Sequence, residues 1–143
     1  RFKMYRCSSC HVGKSVGGQS FEYMDLKKAY FEDRGNPLGS DEGLKGFTGK
    51  AEDLHRFKVP NLRNVELTAP YGHNGYFKTL EEIVHFYNVR DVSDEFPPAE
   101  YPATVNKEEL GNLGLTQEEE ADIVAFMKTL TDGYMKVHKS EKR

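Results

Sequence analysis

Both cysteines of the 143-residue chain lie in one short stretch near its start, Cys7-Ser8-Ser9-Cys10, which His11 follows directly. A disulfide across two intervening residues would close a very short loop, so it would remove little entropy from the unfolded chain. The pair is therefore better explained by chemistry than by a structural cross-link.

Three kinds of site use cysteines at this spacing. A zinc site needs two further ligands, and no second pair stands at a zinc-ligand spacing. A thioredoxin-like dithiol should lie in a βαβ unit, and the sequence pattern shows none. Covalent haem attachment uses two cysteines for thioether bonds to the porphyrin and the next histidine as an iron ligand. We favour one covalent haem c, with Cys7 and Cys10 as attachment residues and His11 as the axial ligand of the iron.

The composition excludes several classes of function. A net charge of -3 gives no basic face for nucleic acid, and no run approaches the roughly 18 apolar residues that a membrane span needs. We expect a single domain over residues 1–143, with a polar tail at 134–143. Because haem c is attached outside the cytoplasm in most bacteria, we expect an exported, periplasmic protein.

Two stretches have helical periodicity, and each opens with a capping box, Thr79 with Glu82 and Thr116 with Glu119. Their apolar faces consist of Leu80, Ile83, Val84 and Tyr87 in the first and Ile123, Val124, Met127 and Leu130 in the second. The second helix should end before Gly133.

The rest of the chain lacks a regular period. Residues 12–58 hold eight of the 13 glycines and predict loops, with a short helix around residues 24–31. Prolines and glycines interrupt residues 60–77, and prolines make residues 96–102 an extended connection.

Several segments together resemble one known family. These are CSSCH, VGGQ, FKVPNLRNVELTAP, YGHNG, LEEIVHFYN and LGLTQEEEADIVAFMKTLT. In this order, over about residues 7–132, they resemble the C-terminal haem domain of bacterial dihaem cytochrome c peroxidases and their MauG-like relatives.

The resemblance implies a mostly α-helical, cytochrome c-like domain whose long loops wrap one haem. In that family this domain passes electrons to an N-terminal haem, where hydrogen peroxide is reduced. With one CxxCH and six residues before Cys7, the chain looks like the electron-transfer half of a longer chain or complex. Its expected partners are an N-terminal peroxidatic haem domain and a small electron-donor protein. The alternative is a haem enzyme that itself reduces peroxide or forms high-valent iron.

The resemblance also implies a second axial ligand. In the peroxidases a methionine lies 14 residues after the histidine of the TAPYxH segment, which here leads from His73 to Tyr87. Tyrosine takes this place in the MauG-like branch, so Tyr87 is the candidate iron ligand, although the same residue also continues the apolar face of its helix. His73 is the runner-up, and Met127 is expected to be a core residue.

Other assignments concern the surroundings of the haem. Arg63 is the candidate partner of a haem propionate, because its planar fork suits carboxylates. The family resemblance implies a calcium ion held by backbone oxygens of Thr68 and Pro70. His85 is expected to be a solvated helix residue, and His55 has no recognisable constellation. Residues 91–115 form a longer connection than the family pattern, and a homodimer contact is one interpretation of it.

Overall fold

The computed structural model describes residues 1–23, 41–99 and 101–133 of the chain. The α-helices are α1 Cys7–Cys10, α2 Lys45–Thr48, α3 Leu80–Val89 and α4 Gln117–Thr129. Short 3₁₀ turns occur at Ala51–Asp53, Val65–Leu67 and Pro102–Thr104. The predicted helix around residues 24–31 and the predicted tail at 134–143 lie outside the described residues.

Both predicted capping boxes are confirmed, and they fix where α3 and α4 begin. The Thr79 hydroxyl accepts the Glu82 N–H at 3.1 Å, while the Glu82 carboxylate accepts the Thr79 N–H at 3.2 Å. Thr116 and Glu119 exchange the same two bonds at the start of α4. Helix α4 ends at Thr129, four residues before the predicted glycine stop.

The core joins the two long helices to the segment that precedes them. Its buried members are Leu62, Val65, Leu80, Val84, Leu115, Ile123, Val124 and Met127. The side chain of Met127 is buried, so its expected packing role is confirmed. Helix α3 also buries Phe86 and Asn88, so more of its surface is covered than the predicted apolar face.

An antiparallel pair of short strands interrupts the region predicted as loops. Strand β1, Phe21–Tyr23, pairs with β2, Arg56–Lys58. The Arg56 guanidinium reinforces the pair by donating to the Phe21 carbonyl at 2.6 Å. Three-residue strands are too short to show an alternating pattern in the sequence.

The residues before α1 contact the C-terminal helix. The rings of Phe2 and Phe126 lie 4.9 Å apart, and the Tyr5 hydroxyl donates to the Glu119 carboxylate at 3.0 Å. These contacts hold the cysteine-containing turn against the helical core. In the part of the chain that the structure describes, every helix is too short or too polar to cross a membrane.

Candidate haem-attachment site

The two cysteines lie on the single turn of α1, as the motif predicts. Both thiols are free and partly buried, and burial raises the pKa of each. The His11 N–H closes the turn by donating to the Cys7 carbonyl at 3.0 Å. One turn of helix therefore presents two unpaired thiols with the imidazole directly after them.

His11 is held by its backbone surroundings in a form suited to a metal. Its Nδ1 lies 3.2 Å from the Val16 carbonyl oxygen, and burial lowers the pKa of the imidazole. A neutral ring whose Nδ1–H donates to a carbonyl presents Nε2 with its lone pair available. Nε2 is therefore the nitrogen that can bind iron.

Gly17 allows the chain to pass close behind this ring. Its φ is +126°, and a Cβ there would lie 2.1 Å from the Pro60 carbonyl oxygen and 2.9 Å from Nδ1 of His11. The neighbouring Gly18 N–H donates to the Val59 carbonyl at 2.9 Å. Residues 59–62 therefore pack close behind the imidazole and fix its orientation.

Tyr87 lies on the third turn of α3 and is partly buried. Burial raises the pKa of its phenol above the ordinary range, and the charges of Cys7 and Cys10 raise this pKa further. The Arg90 guanidinium acts in the opposite direction and lowers it. The loop of residues 106–111 connects Tyr87 with the cysteine turn, because the Gly111 N–H donates to the Tyr87 carbonyl at 2.7 Å and a Glu109 carboxylate oxygen lies 3.9 Å from the Cys10 sulfur.

These residues fit a covalent haem c. Two free thiols stand one turn apart, and an imidazole whose Nδ1 lies 3.2 Å from the Val16 carbonyl oxygen follows them. Among the described residues, no group of three or more His, Cys, Asp or Glu side chains is arranged to hold a metal ion. Two thiols followed directly by an imidazole are the donors that covalent haem attachment uses.

His73 contacts residues outside the cysteine turn. Its ring stacks on Phe57 with centroids 3.8 Å apart, and burial lowers its pKa to about 4. The charges that act on it are those of Asp41 and His55, and its Nε2 is buried without a hydrogen-bond partner. Its assignment as runner-up ligand of the haem iron stays a prediction.

The expectation for His55 was wrong, and His85 has partners that its sequence position does not reveal. His55 is only 4% exposed, stacks on Tyr101 with centroids 3.9 Å apart and lies 2.9 Å from the Thr104 hydroxyl. His85 is a helix residue with a side chain 36% exposed, as expected, but its Nδ1 lies 3.0 Å from Glu120 and its Nε2 lies 3.0 Å from Glu95. Both sets of partners are distant in sequence, so no local pattern could reveal them.

The remaining predicted site residues lie at the surface. The Arg63 side chain is 63% exposed and forms an ion pair with Asp132 near the end of α4. Thr68 and Pro70 are exposed, and the Thr68 hydroxyl donates to the Val65 carbonyl at 3.1 Å. The propionate role of Arg63 and the calcium role of Thr68 and Pro70 therefore remain predictions.

Two residues next to this site, Glu109 and Arg90, are not predicted from the sequence. Glu109 places a carboxylate oxygen 3.9 Å from the Cys10 sulfur, and the buried side chain of Arg90 interacts with the Tyr87 phenol. The only local sign of the loop that carries Glu109 is Asn106, because an asparagine before Lys-Glu-Glu is typical of an Asx turn.

Known proteins similar to this chain are cytochrome peroxidases and MauG. No protein-family model matches the chain. A cytochrome c551 peroxidase of Nitrosomonas europaea is 38% identical over 130 residues, which are 91% of this chain and 32% of that protein. The cytochrome c peroxidase Ccp of Escherichia coli is 37% identical over 93% of this chain and 24% of its own length. The methylamine utilization protein MauG of Paracoccus denitrificans is 31% identical over 92% and 40%, respectively.

The fold agrees with these relatives. A MauG-like protein associated with microbial copper homeostasis has a structure that matches with a TM-score of 0.69 at 30% identity, over 90% of this chain and 40% of that one. The present fold is thus a small, mostly helical domain with long loops, similar to part of a MauG-like protein. The chain spans about a quarter to two fifths of the length of the relatives described above. By sequence and by structure, it is homologous to one part of the dihaem cytochrome c peroxidases and MauG.

Proposed function

We propose that the chain is a c-type cytochrome domain that transfers single electrons within a larger protein of the cytochrome c peroxidase and MauG type. Cys7 and Cys10 would attach one haem c through thioether bonds, and His11 would be an axial ligand. The observation that carries the proposal is that one helical turn presents two free thiols and is followed directly by an imidazole whose Nδ1 lies 3.2 Å from the Val16 carbonyl oxygen.

Tyr87 is proposed as the second axial donor. When bound, the haem supplies a reversible one-electron change at its iron. Tyr87 must lose its phenolic proton to act as an anionic donor. In the haem-free chain burial opposes this loss by raising the pKa of the phenol, and the Arg90 guanidinium partly offsets the increase. Because an anionic oxygen donor stabilises oxidised iron, tyrosinate ligation predicts a lower reduction potential than methionine ligation would.

The proposed setting is a periplasmic protein with a second redox centre. An N-terminal peroxidatic haem domain would receive the electrons, and a small electron-donor protein would supply them. The length of the relatives supports this arrangement, since this chain corresponds to less than half of each one compared above.

The names of the relatives favour a second candidate function, reduction of hydrogen peroxide at this haem itself. The two candidates differ in whether the iron has an open coordination position. If Tyr87 occupies that position, the chain has no place for peroxide to bind and serves electron transfer alone.

The experiment is to produce the chain in a host that attaches haem c and to measure its intact mass and absorption spectrum. The proposal expects one haem per chain and a ferric spectrum that does not change when cyanide or peroxide is added. A colourless chain with two free thiols would refute haem attachment, and a cyanide-sensitive spectrum would favour the peroxidase candidate.

A tyrosine substitution tests the second ligand. Tyr87→Phe should change the ferric spectrum and expose a position that binds cyanide. Tyr71→Phe is the matched control, because Tyr71 is a partly buried tyrosine whose hydroxyl donates to the Val65 carbonyl at 2.9 Å. Identical spectra for Tyr87→Phe and the native chain would make Tyr87 a packing residue only.

The proposed roles of Arg63 and of the calcium site have separate tests. Arg63→Gln should raise the pH at which the spectrum responds to propionate ionisation if the guanidinium pairs with a propionate.

A calcium ion on the carbonyls of Thr68 and Pro70 should raise the melting temperature in proportion to the logarithm of free calcium. A melting temperature that calcium and chelator leave unchanged would remove the calcium assignment.

A further inference from the structure

The loop of residues 106–111, between α3 and α4, places a carboxylate beside the cysteine turn. The Ser9 hydroxyl lies 3.0 Å from one oxygen of Glu109 and 2.7 Å from the Arg6 carbonyl oxygen, so its single proton is shared between these two acceptors. The other Glu109 oxygen lies 3.9 Å from the Cys10 sulfur. Glu109 is therefore in contact with the turn to which the haem would be attached.

Asn106 fixes the conformation of this loop from within. Its side-chain oxygen accepts the backbone N–H groups of Glu108 at 3.2 Å and Glu109 at 3.0 Å. Its side-chain amide donates to the Glu109 carboxylate at 3.1 Å. The carboxylate is thus restrained by both the turn beneath it and the amide beside it.

Arg90 anchors the loop to the end of α3. Its side chain is only 4% exposed, and Nη2 donates to the carbonyls of Asn106 at 2.6 Å and Leu110 at 3.1 Å. Asp91 accepts from the same guanidinium at 3.0 and 2.9 Å, so the buried charge is paired. A buried arginine that is bonded through both Nε and Nη2 is a rigid support.

Gly111 connects the 106–111 loop to Tyr87, the candidate iron ligand. Its N–H donates to the Tyr87 carbonyl at 2.7 Å. Its φ is +97°, and a Cβ there would lie 2.2 Å from the Asp91 carboxylate and 2.6 Å from the Arg90 guanidinium. The loop therefore links the helix that carries Tyr87 to the turn that carries Cys10.

A fixed negative charge beside a haem stabilises the more positive, ferric state and so lowers the reduction potential. We propose that Glu109 is a positioning residue that holds the cysteine turn through Ser9 and, by its charge beside Cys10, lowers the potential of the attached haem. The part of this inference that concerns the potential rests on the proposed function.

The test is the midpoint potential of the haem-loaded chain. Glu109→Gln keeps an acceptor for Ser9 but removes the charge, and it should change the equilibrium constant for reduction by about threefold, which is about 28 mV at 59 mV per tenfold. Glu108→Gln is the control, because it removes the same charge from an exposed neighbour. A potential that rises equally in both variants, or in neither, would overturn the electrostatic role.

A second pair of variants tests the positioning without any change of charge. Gly111→Ala should displace the loop from Arg90 and raise the potential in the same direction as Glu109→Gln. Gly114→Ala is matched to it, since Gly114 also has a positive φ, of +65°, but its Cβ would meet no atom within 4 Å. If both alanine variants have the potential of the native chain, the loop does not position the charge.

The failure of haem attachment would be recognised separately, by mass. In a haem-free chain, the loop proposal is judged by the alkylation rate of the Cys10 thiol, read by peptide mass spectrometry. Glu109→Ala should accelerate alkylation at least threefold relative to Glu108→Ala, because the contact with Ser9 is lost. Equal rates for the two variants would overturn the positioning role even where the proposed function has already failed.

Discussion

Asn88, the residue after the candidate ligand Tyr87, should be one of the most sensitive positions in the chain. It is 4% exposed, and its side chain bonds both backbone groups of Leu115, accepting from the N–H at 2.8 Å and donating to the carbonyl at 3.0 Å. The same amide donates to Glu120 at 2.6 Å. One side chain therefore joins α3 to the residues that lead into α4.

Asn88→Ala would leave two backbone groups of Leu115 without partners in a buried place. Each such group costs about 1–3 kcal/mol, so the free energy of unfolding should fall by about 2–6 kcal/mol. This is a large part of the roughly 5–15 kcal/mol that stabilises an ordinary domain.

Urea unfolding followed by circular dichroism measures this effect. With a slope of about 2 kcal/mol per molar urea, the midpoint should fall by about 1–3 M. Asn112→Ala is the control, because Asn112 is exposed and its loss should change stability by less than about 0.5 kcal/mol. If the two variants unfold at the same urea concentration, the network around Asn88 does not stabilise the fold and the reasoning is refuted.

Three further substitutions have defined outcomes. Gly17→Ala should destabilise the chain and displace the axial imidazole, seen in the haem spectrum, whereas Gly46→Ala, with open space around its Cβ, should do neither. His85 has a raised pKa, chiefly through its bond to Glu120. Protonated His85 therefore makes its full contribution to the free energy of unfolding below about pH 6.5. This contribution is lost as the pH rises through the raised pKa of His85. Urea midpoints of the native chain should accordingly fall more steeply above neutral pH than those of His85→Gln, and parallel curves would contradict this. Met127→Ala should lower stability by about 2–5 kcal/mol in the same assay with an unchanged haem spectrum, and a changed spectrum would show that the residue is more than packing.

The parts of the fold that the sequence predicts are those encoded by near neighbours. Thr79 and Thr116 each bond a residue three positions away, so both helix starts can be read directly from the chain. The pairing of Phe21 with Lys58 cannot be read in this way. It is set by tertiary contacts between segments whose own sequences have no strand periodicity.

The same distinction between local and distant contacts applies to the candidate site. The turn with Cys7, Cys10 and His11 is local and is predicted by spacing alone. The position of Tyr87 depends on how α3 packs, and only the family resemblance made it a candidate ligand. Asn106 indicates a turn before Glu109, but no local pattern indicates the contact of Glu109 with Ser9, because the two positions are separated by 100 residues.

The contact between Tyr5 and Glu119 has a consequence for the order of events during synthesis. The two residues are 114 positions apart, and translation proceeds from the N-terminus at about 5–20 residues per second. The cysteine turn thus emerges several seconds before the helix against which it packs. During that interval the residues before α1 lack their contacts with Glu119 and Phe126. The turn that carries the two thiols can therefore be fixed against the core only after the chain has been made as far as α4.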